Sequence, residues 1–156
     1  MKKAFLLPLL FVCSFGFSQN IVMKIKGMLE GEAGTFILSF SWGASNPVTI
    51  GPGGGMGSGK VSISSFNIMK HQDETSLKII EAVATGKHYQ EISITVMDEK
   101  NKPTFRYTMS EVMFESVQHS HTDCGDKKCG RIAESVSIAA ARWKWEDLSA
   151  GNSYQF

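Results

Sequence analysis

The densest chemistry in this 156-residue sequence lies at His119-Ser120-His121-Thr122-Asp123-Cys124, followed by Cys129. Two imidazoles and two thiols so close together are the donor types of a tetrahedral zinc site. The same cysteines flank Gly125-Asp126-Lys127-Lys128 and can instead close a disulfide across a hairpin tip. For so small a loop that bond is worth roughly 2 kcal/mol on the chain-entropy argument. Outside the cytoplasm the disulfide is favoured, because thiolates rarely survive oxidation without a metal already in place. A Cys124–Cys129 disulfide is the expectation and zinc the alternative; no metal or other cofactor is expected.

Gly54-Gly55-Met56-Gly57-Ser58-Gly59-Lys60 has the spacing of a phosphate-cradling P-loop, but it departs from that chemistry twice. Val61 stands where a Ser or Thr hydroxyl must reach magnesium. The segment also leads into a β-branched strand pattern rather than a helix N-terminus able to receive phosphate. Gly57-Ser58-Gly59 lacks the outer glycines of a nucleophile elbow. His71 and His88 flank a helix, where surface or capping roles explain them, and Glu111 and Glu115 read as a solvated strand face. No catalytic set emerges, and the chain is not expected to be an enzyme.

The elements that would carry these residues are those of one small, sheet-rich domain. Apolar residues make up 42% and charged residues 20%, which excludes a disordered chain and a multi-span membrane protein. Sixteen Lys and Arg face fifteen Asp and Glu, so no charge excess calls for nucleic acid or an anionic membrane. Lys2 and Lys3, the apolar run Ala4 to Phe17, and small residues at Gly16 and Ser18 describe a secretory signal peptide cut after Ser18. Phe11 and Val12 are too bulky before Cys13 for a lipoprotein site. Cleavage leaves 138 residues, 14 basic against 15 acidic, and an even pair of cysteines. The domain is expected over 19–146, followed by a loose polar tail at 147–156, and the mature protein in the periplasm or outside the cell, free of the membrane.

Period-2 alternation predicts strands over Ile21 to Met28, Thr35 to Trp42, Lys60 to Met69 with a bulge at Ser64-Ser65, and Ile92 to Val96. Further strands are expected over Phe105 to Met109, Val112 to Gln118 and Arg131 to Trp145. In the second strand, Phe36, Leu38 and Phe40 are expected on one face. Asp73 to Thr85 reads as the single helix, capped by Asp73, Thr75 or Ser76, with Leu77, Ile80 and Ala84 on its apolar face, Ile79 and Val83 beside them, and Gly86 closing it. From Gly43 to Gly59, seven glycines and two prolines erase any period, so a loop of unusual length is expected there. Short strands joined by turns favour a largely antiparallel sandwich or barrel.

In order and spacing, these features resemble the haemolysin-coregulated protein (Hcp) family, the tube protein of type VI secretion systems. The resemblance runs from about Ile21 to Trp145. It is carried by Ser41-Trp42-Gly43, the stretch Gly53-Gly54-Gly55-Met56-Gly57-Ser58-Gly59-Lys60-Val61, and Phe66 to Lys70 with Asp73. Leu77, Gly86-Lys87-His88-Tyr89, Tyr107, Val112 with Ser116-Val117, and Glu134-Ser135-Val136 complete it. It implies a mainly β fold, a barrel of two packed sheets with one flanking helix. It further implies six-membered rings of this chain that stack into a tube, with effectors or other secretion-system components as further partners. The long loop, with Trp42, Gly43, Gly53, Gly54, Gly55, Gly57, Gly59 and Lys60, would then reach a neighbouring copy. Two features depart from the family: the leader, where tube proteins generally assemble in the cytoplasm, and the Cys124–Cys129 segment, where the family has a cysteine-free loop. Together they leave a second expectation, an exported monomeric binding module stapled by a disulfide or zinc at that hairpin.

Overall fold

The computed structural model describes residues 20–29, 34–50, 56–121 and 131–155. The leader expected over residues 1–18 lies outside them. The elements follow in the order β1 (Ile21–Ile25), β2 (Thr35–Ile37), β3 (Ser39–Ser41), β4 (Ala44–Ser45), β5 (Val48–Ile50), β6 (Met56–Ser58), β7 (Ser62–Ile63) and β8 (Phe66–His71). Helix α1 (Ser76–Thr85), β9 (His88–Met97), β10 (Pro103–Ser120), β11 (Ala133–Asp147) and β12 (Asn152–Gln155) complete the chain.

One antiparallel sheet runs β2-β1-β9-β10-β11-β8-β3. Its two terminal strands are neighbours in sequence, separated by Leu38 alone, so the sheet closes on itself as a barrel. The Leu38 N–H donates to Met69 O at 2.6 Å, where the chain leaves β1 and joins β8. That handover inverts the alternation. Phe36 and Leu38 share a face as expected, and it is the solvent face; Phe40 does not join them but turns in and stacks on Phe66 at 5.2 Å. The expected bulge at Ser64-Ser65 is a complete break, because β7 belongs to a different ladder from β8.

Inside the barrel, Met23, Phe66, Ile68, Ile92, Ile94, Met109, Val112, Val136 and Ile138 are fully buried. Each such side chain contributes about 1.5–3 kcal/mol relative to exposure. They come from alternate positions of β1, β8, β9 and β11, which is why period-2 reasoning located these strands; on β10, Met109 and Val112 are three apart, and the alternation changes phase at Glu111, whose φ is 55°. The two strands expected over 105–118 are one continuous β10, interrupted by a register shift between Phe114 and Ser116.

Helix α1 packs on β10. It starts later than expected, at Ser76, and turns in the Ile79 and Val83 side of the expected face rather than the Leu77 and Ala84 side. Ser76, Ile79 and Ala82 are buried, whereas Leu77 is 74% exposed and Ala84 also faces solvent. Polar contacts set this rotation: Ser76 is drawn inward by Lys70, and Lys78 Nζ donates to Met28 O at 2.6 Å. Gly86, in the left-handed region at φ 65°, ends the helix as predicted. The tail, expected to be loose, is a strand. Asp147 Oδ1 accepts from the backbone N–H groups of Ser149 and Ala150, and the chain turns back as β12 along the end of β11.

Candidate functional site

In the glycine-rich stretch, the described residues on either side of 51–55 form strands where a loop was expected. β4 pairs with β7, and β5 pairs with β6, so the stretch folds as a two-stranded ribbon. Gly59 N–H donates to Pro47 O at 2.9 Å and bridges the two ladders, whose registers differ by one residue. Gly59 is required there: a Cβ on it would lie 2.7 Å from Pro47 Cγ and 3.0 Å from Pro47 O. At the base, Ser64 Oγ both accepts from Gly43 N–H and donates to Gly43 O, closing the arms. At about 3.3 Å per residue, the arm from Gly43 to Ile50 is about 25 Å long. Of the residues expected to form this surface, Trp42, Gly43, Gly57, Gly59 and Lys60 are brought together on it. Gly53, Gly54 and Gly55 lie outside the described residues, as do Cys124 and Cys129.

Trp42 fastens the ribbon to the barrel. Its ring lies 4.2 Å from that of Trp145 and 6.2 Å from Tyr107, which continues to Phe40 at 5.2 Å and so to Phe66. These contacts form one aromatic column from the ribbon root to the core, each step adding about 0.5–1.5 kcal/mol beyond area burial. A groove of 310 Å³ opens beside it, walled by Trp42, Phe105, Tyr107, Trp145 and Tyr154. Sequence reasoning missed this groove because Tyr154 arrives on a strand that it did not predict.

At the far end of β8 stands a group that sequence reasoning did not single out as a site. Lys70 and Glu134 are both completely buried, with Lys70 Nζ 2.9 Å from Glu134 Oε2. The ammonium also donates to Asp73 Oδ1 at 2.8 Å, Ser76 Oγ at 3.1 Å and His71 O at 3.1 Å. Asp73 further accepts from Thr35 Oγ1 and from Thr75 through both its N–H and its hydroxyl. Burial alone would raise the Asp73 pKa, but the bonds from Lys70, Thr35 and Thr75 outweigh it and hold the carboxyl below its ordinary value. His119, one of the imidazoles considered for zinc, places Nε2 3.1 Å from Glu134 Oε1. The signal was present: Lys70 is in phase with Phe66 and Ile68, and Glu134 with Val136 and Ile138, so both had to point inward.

Several large apolar side chains stand exposed on the outer surface. Phe36 is 67% exposed, and Leu38 and Met69 lie beside each other on the closing strands. Val48 and Val61 are exposed on the ribbon, and Leu77 on the helix. Exposed apolar surface of this kind, rimmed by polar residues, marks protein contact surfaces. Glu111, with φ 55°, pairs across to Arg142 at 3.3 Å on a solvated face.

No curated protein matches the sequence. Solved structures do match its fold. A crystal structure of an Hcp protein aligns at TM-score 0.74 with 15% identity, covering 89% of this chain and 99% of that one. Hcp1 from Salmonella typhimurium aligns at 0.69 with 20% identity, covering 88% and 91%. A chain of the six-fold symmetrised baseplate of the anti-feeding prophage aligns at 0.58 with 10% identity, covering 83% and 93%. The family described as "Type VI secretion system effector, Hcp" matches residues 23–146, nearly the whole described barrel. With its closed barrel, flanking helix and ribbon rooted at Trp42, the chain belongs to the Hcp family of type VI secretion system proteins.

Proposed function

We propose that this chain is a structural, non-enzymatic component that assembles with copies of itself into a six-membered ring, that rings stack into a tube, and that the lumen accommodates secreted effectors. The observation that supports this most directly is the ribbon. It is two strands wide, pairs with no third strand among the described residues, and carries Val48 54% exposed. Isolated two-stranded ribbons are marginal in water, and unpaired strand edges are templates for another chain. A neighbouring copy would supply both the missing strand partner and cover for Val48.

In the same reading the leader is removed after Ser18, the protein is exported, and Cys124 pairs with Cys129 on the far side of the membrane. Thiol titration of exported protein should then find no free thiol until reductant is added; two free thiols beforehand would remove the disulfide. The assembly itself is tested by light scattering on residues 19–156 over a wide concentration range. A mass near six protomers is expected. A protein that remains one protomer at the highest concentration overturns self-association and leaves a monomeric binding module on an inherited fold.

A further inference from the structure

Strand β12 lies beyond residues 23–146, the part of the chain that the Hcp family matches, and among the described residues it pairs only with the end of β11. The register of β10, β11 and β12 sets two rows of side chains on one face. Tyr107, Trp145 and Tyr154 stand opposite one another in the first row, and Phe105, Asp147 and Asn152 in the second. The rows are two residues apart along each strand, about 7 Å. The first row is a platform of rings: Tyr154 lies 6.4 Å from Trp145 with 19° between their planes, and Trp42 backs Trp145 at 4.2 Å. Tyr154 is 60% exposed and Phe105 43%, and both wall the 310 Å³ groove. The second row adds polar groups. Asp147 Oδ1 is taken by the turn, where it accepts from Ser149 and Ala150, whereas Oδ2 and the Asn152 amide make no hydrogen bond among the described residues. The Ser149 hydroxyl and the backbone N–H groups hold the Asp147 carboxyl below its ordinary value, so it stays an anion and an acceptor.

We propose that this platform binds a neutral, flat oligosaccharide, one whose pyranose rings carry their hydroxyls equatorially. The apolar C–H face of such a ring lies on Tyr154 and Phe105, and hydroxyls at its edge reach Asp147 Oδ2 and the Asn152 amide. Aromatic area supplies the contact and a few placed polar groups fix orientation, the usual division of labour in ligand sites. The groove is at the small end of the range of about 300–1,000 Å³ for such sites, which suits a short length of glycan. Other occupants fit less well. A wholly apolar ligand would take the Asp147 charge out of water with no partner, which is strongly unfavourable. Hydroxyl donors instead give that carboxylate charge-assisted bonds. A quaternary ammonium needs rings parted around it, and Trp42 and Trp145 are in contact with each other. Every group comes from one chain, so the site does not depend on self-association.

The test titrates cellohexaose and chitohexaose into the full-length mature protein, followed by tryptophan fluorescence and by calorimetry. Saturable binding of at least one, with a Kd below about 1 mM, is expected. Tyr154→Ala is expected to weaken it about tenfold or more, and Tyr154→Phe, which keeps the ring, by less than about threefold. Asn152→Ala should weaken it by about threefold or more. Asn152 and Tyr154 are both exposed, so each variant should keep the parent's circular dichroism spectrum. No binding of either sugar up to about 10 mM overturns the proposal. Saturation by tetramethylammonium alone, or by anilinonaphthalene sulfonate alone, also overturns it and assigns the groove to a cation or to an apolar ligand. Sugar binding that is indifferent to both Tyr154→Ala and Asn152→Ala removes the site from this platform.

Discussion

Lys70, at the end of β8, has no contact with solvent and four oxygen partners within 3.1 Å. Val48, on the ribbon some twenty residues earlier, has half its surface in water and a single neighbouring strand. A buried charge cannot be left incomplete, because an unpaired ion in the interior costs several kcal/mol. The chain therefore surrounds Lys70 with its own groups, drawing them from β2, β8, α1, β10 and β11. An exposed ribbon edge carries no such penalty while water serves it. Its completion can be left to another molecule.

The contrast is broken most strongly at the cluster. Lys70→Met strands Glu134 in the interior and is expected to cost about 3–5 kcal/mol, read as a lower denaturant midpoint. Adding Glu134→Leu should return much of the loss. A single variant as stable as the parent would show that the cluster does not hold that end of the barrel.

Gly59→Val acts on the other region. Its side chain meets Pro47 and must part the ribbon arms, so assembly should weaken severalfold by light scattering. Barrel stability should stay within about 0.5 kcal/mol, since no core residue is touched. A large fall in stability with assembly intact would reverse the roles assigned to the two regions.

The Asp73 carboxyl gives a pH handle on the cluster. Its folded pKa lies below the ordinary value of 3.8, so its stabilisation is fully present above that value and disappears as pH falls through the lower folded one. Asp73→Asn should therefore flatten the acid limb of the unfolding curve below about pH 4. An unchanged limb would place the acid sensitivity in other carboxylates. The smallest effect is expected at Leu77→Ser, within about 0.5 kcal/mol because the side chain is already in water. A loss of 2 kcal/mol or more, the scale of core truncations, would mean that the helix packs by its predicted face after all.

Much of the barrel is legible because its strands are half-buried and obey a strict two-residue period. Met23, Ile68, Ile94 and Val136 announce their own face. Leu38 shows where that logic ends: a one-residue handover between two partner strands flips Phe40 inward, and nothing local in Phe-Ile-Leu-Ser-Phe records it. Leu77 is an equally apolar residue that the helix leaves outside, because the hydroxyl of Ser76 has a buried lysine to serve. The ribbon was illegible for a related reason. Glycine-rich composition gives no propensity to read, and its pairing depends on Gly59 clearing Pro47 across twelve residues of chain.

The amino-acid order by itself determined the strand periods, the helix stop at Gly86 and the motifs around Trp42 and Lys60 that identify the family, because each depends on neighbours within a few residues. Tertiary structure alone decided barrel closure, the Lys70–Glu134 pairing and the return of β12. Each of these depends on which distant backbone edge or charge comes within about 3 Å, a distance that no sequence separation encodes.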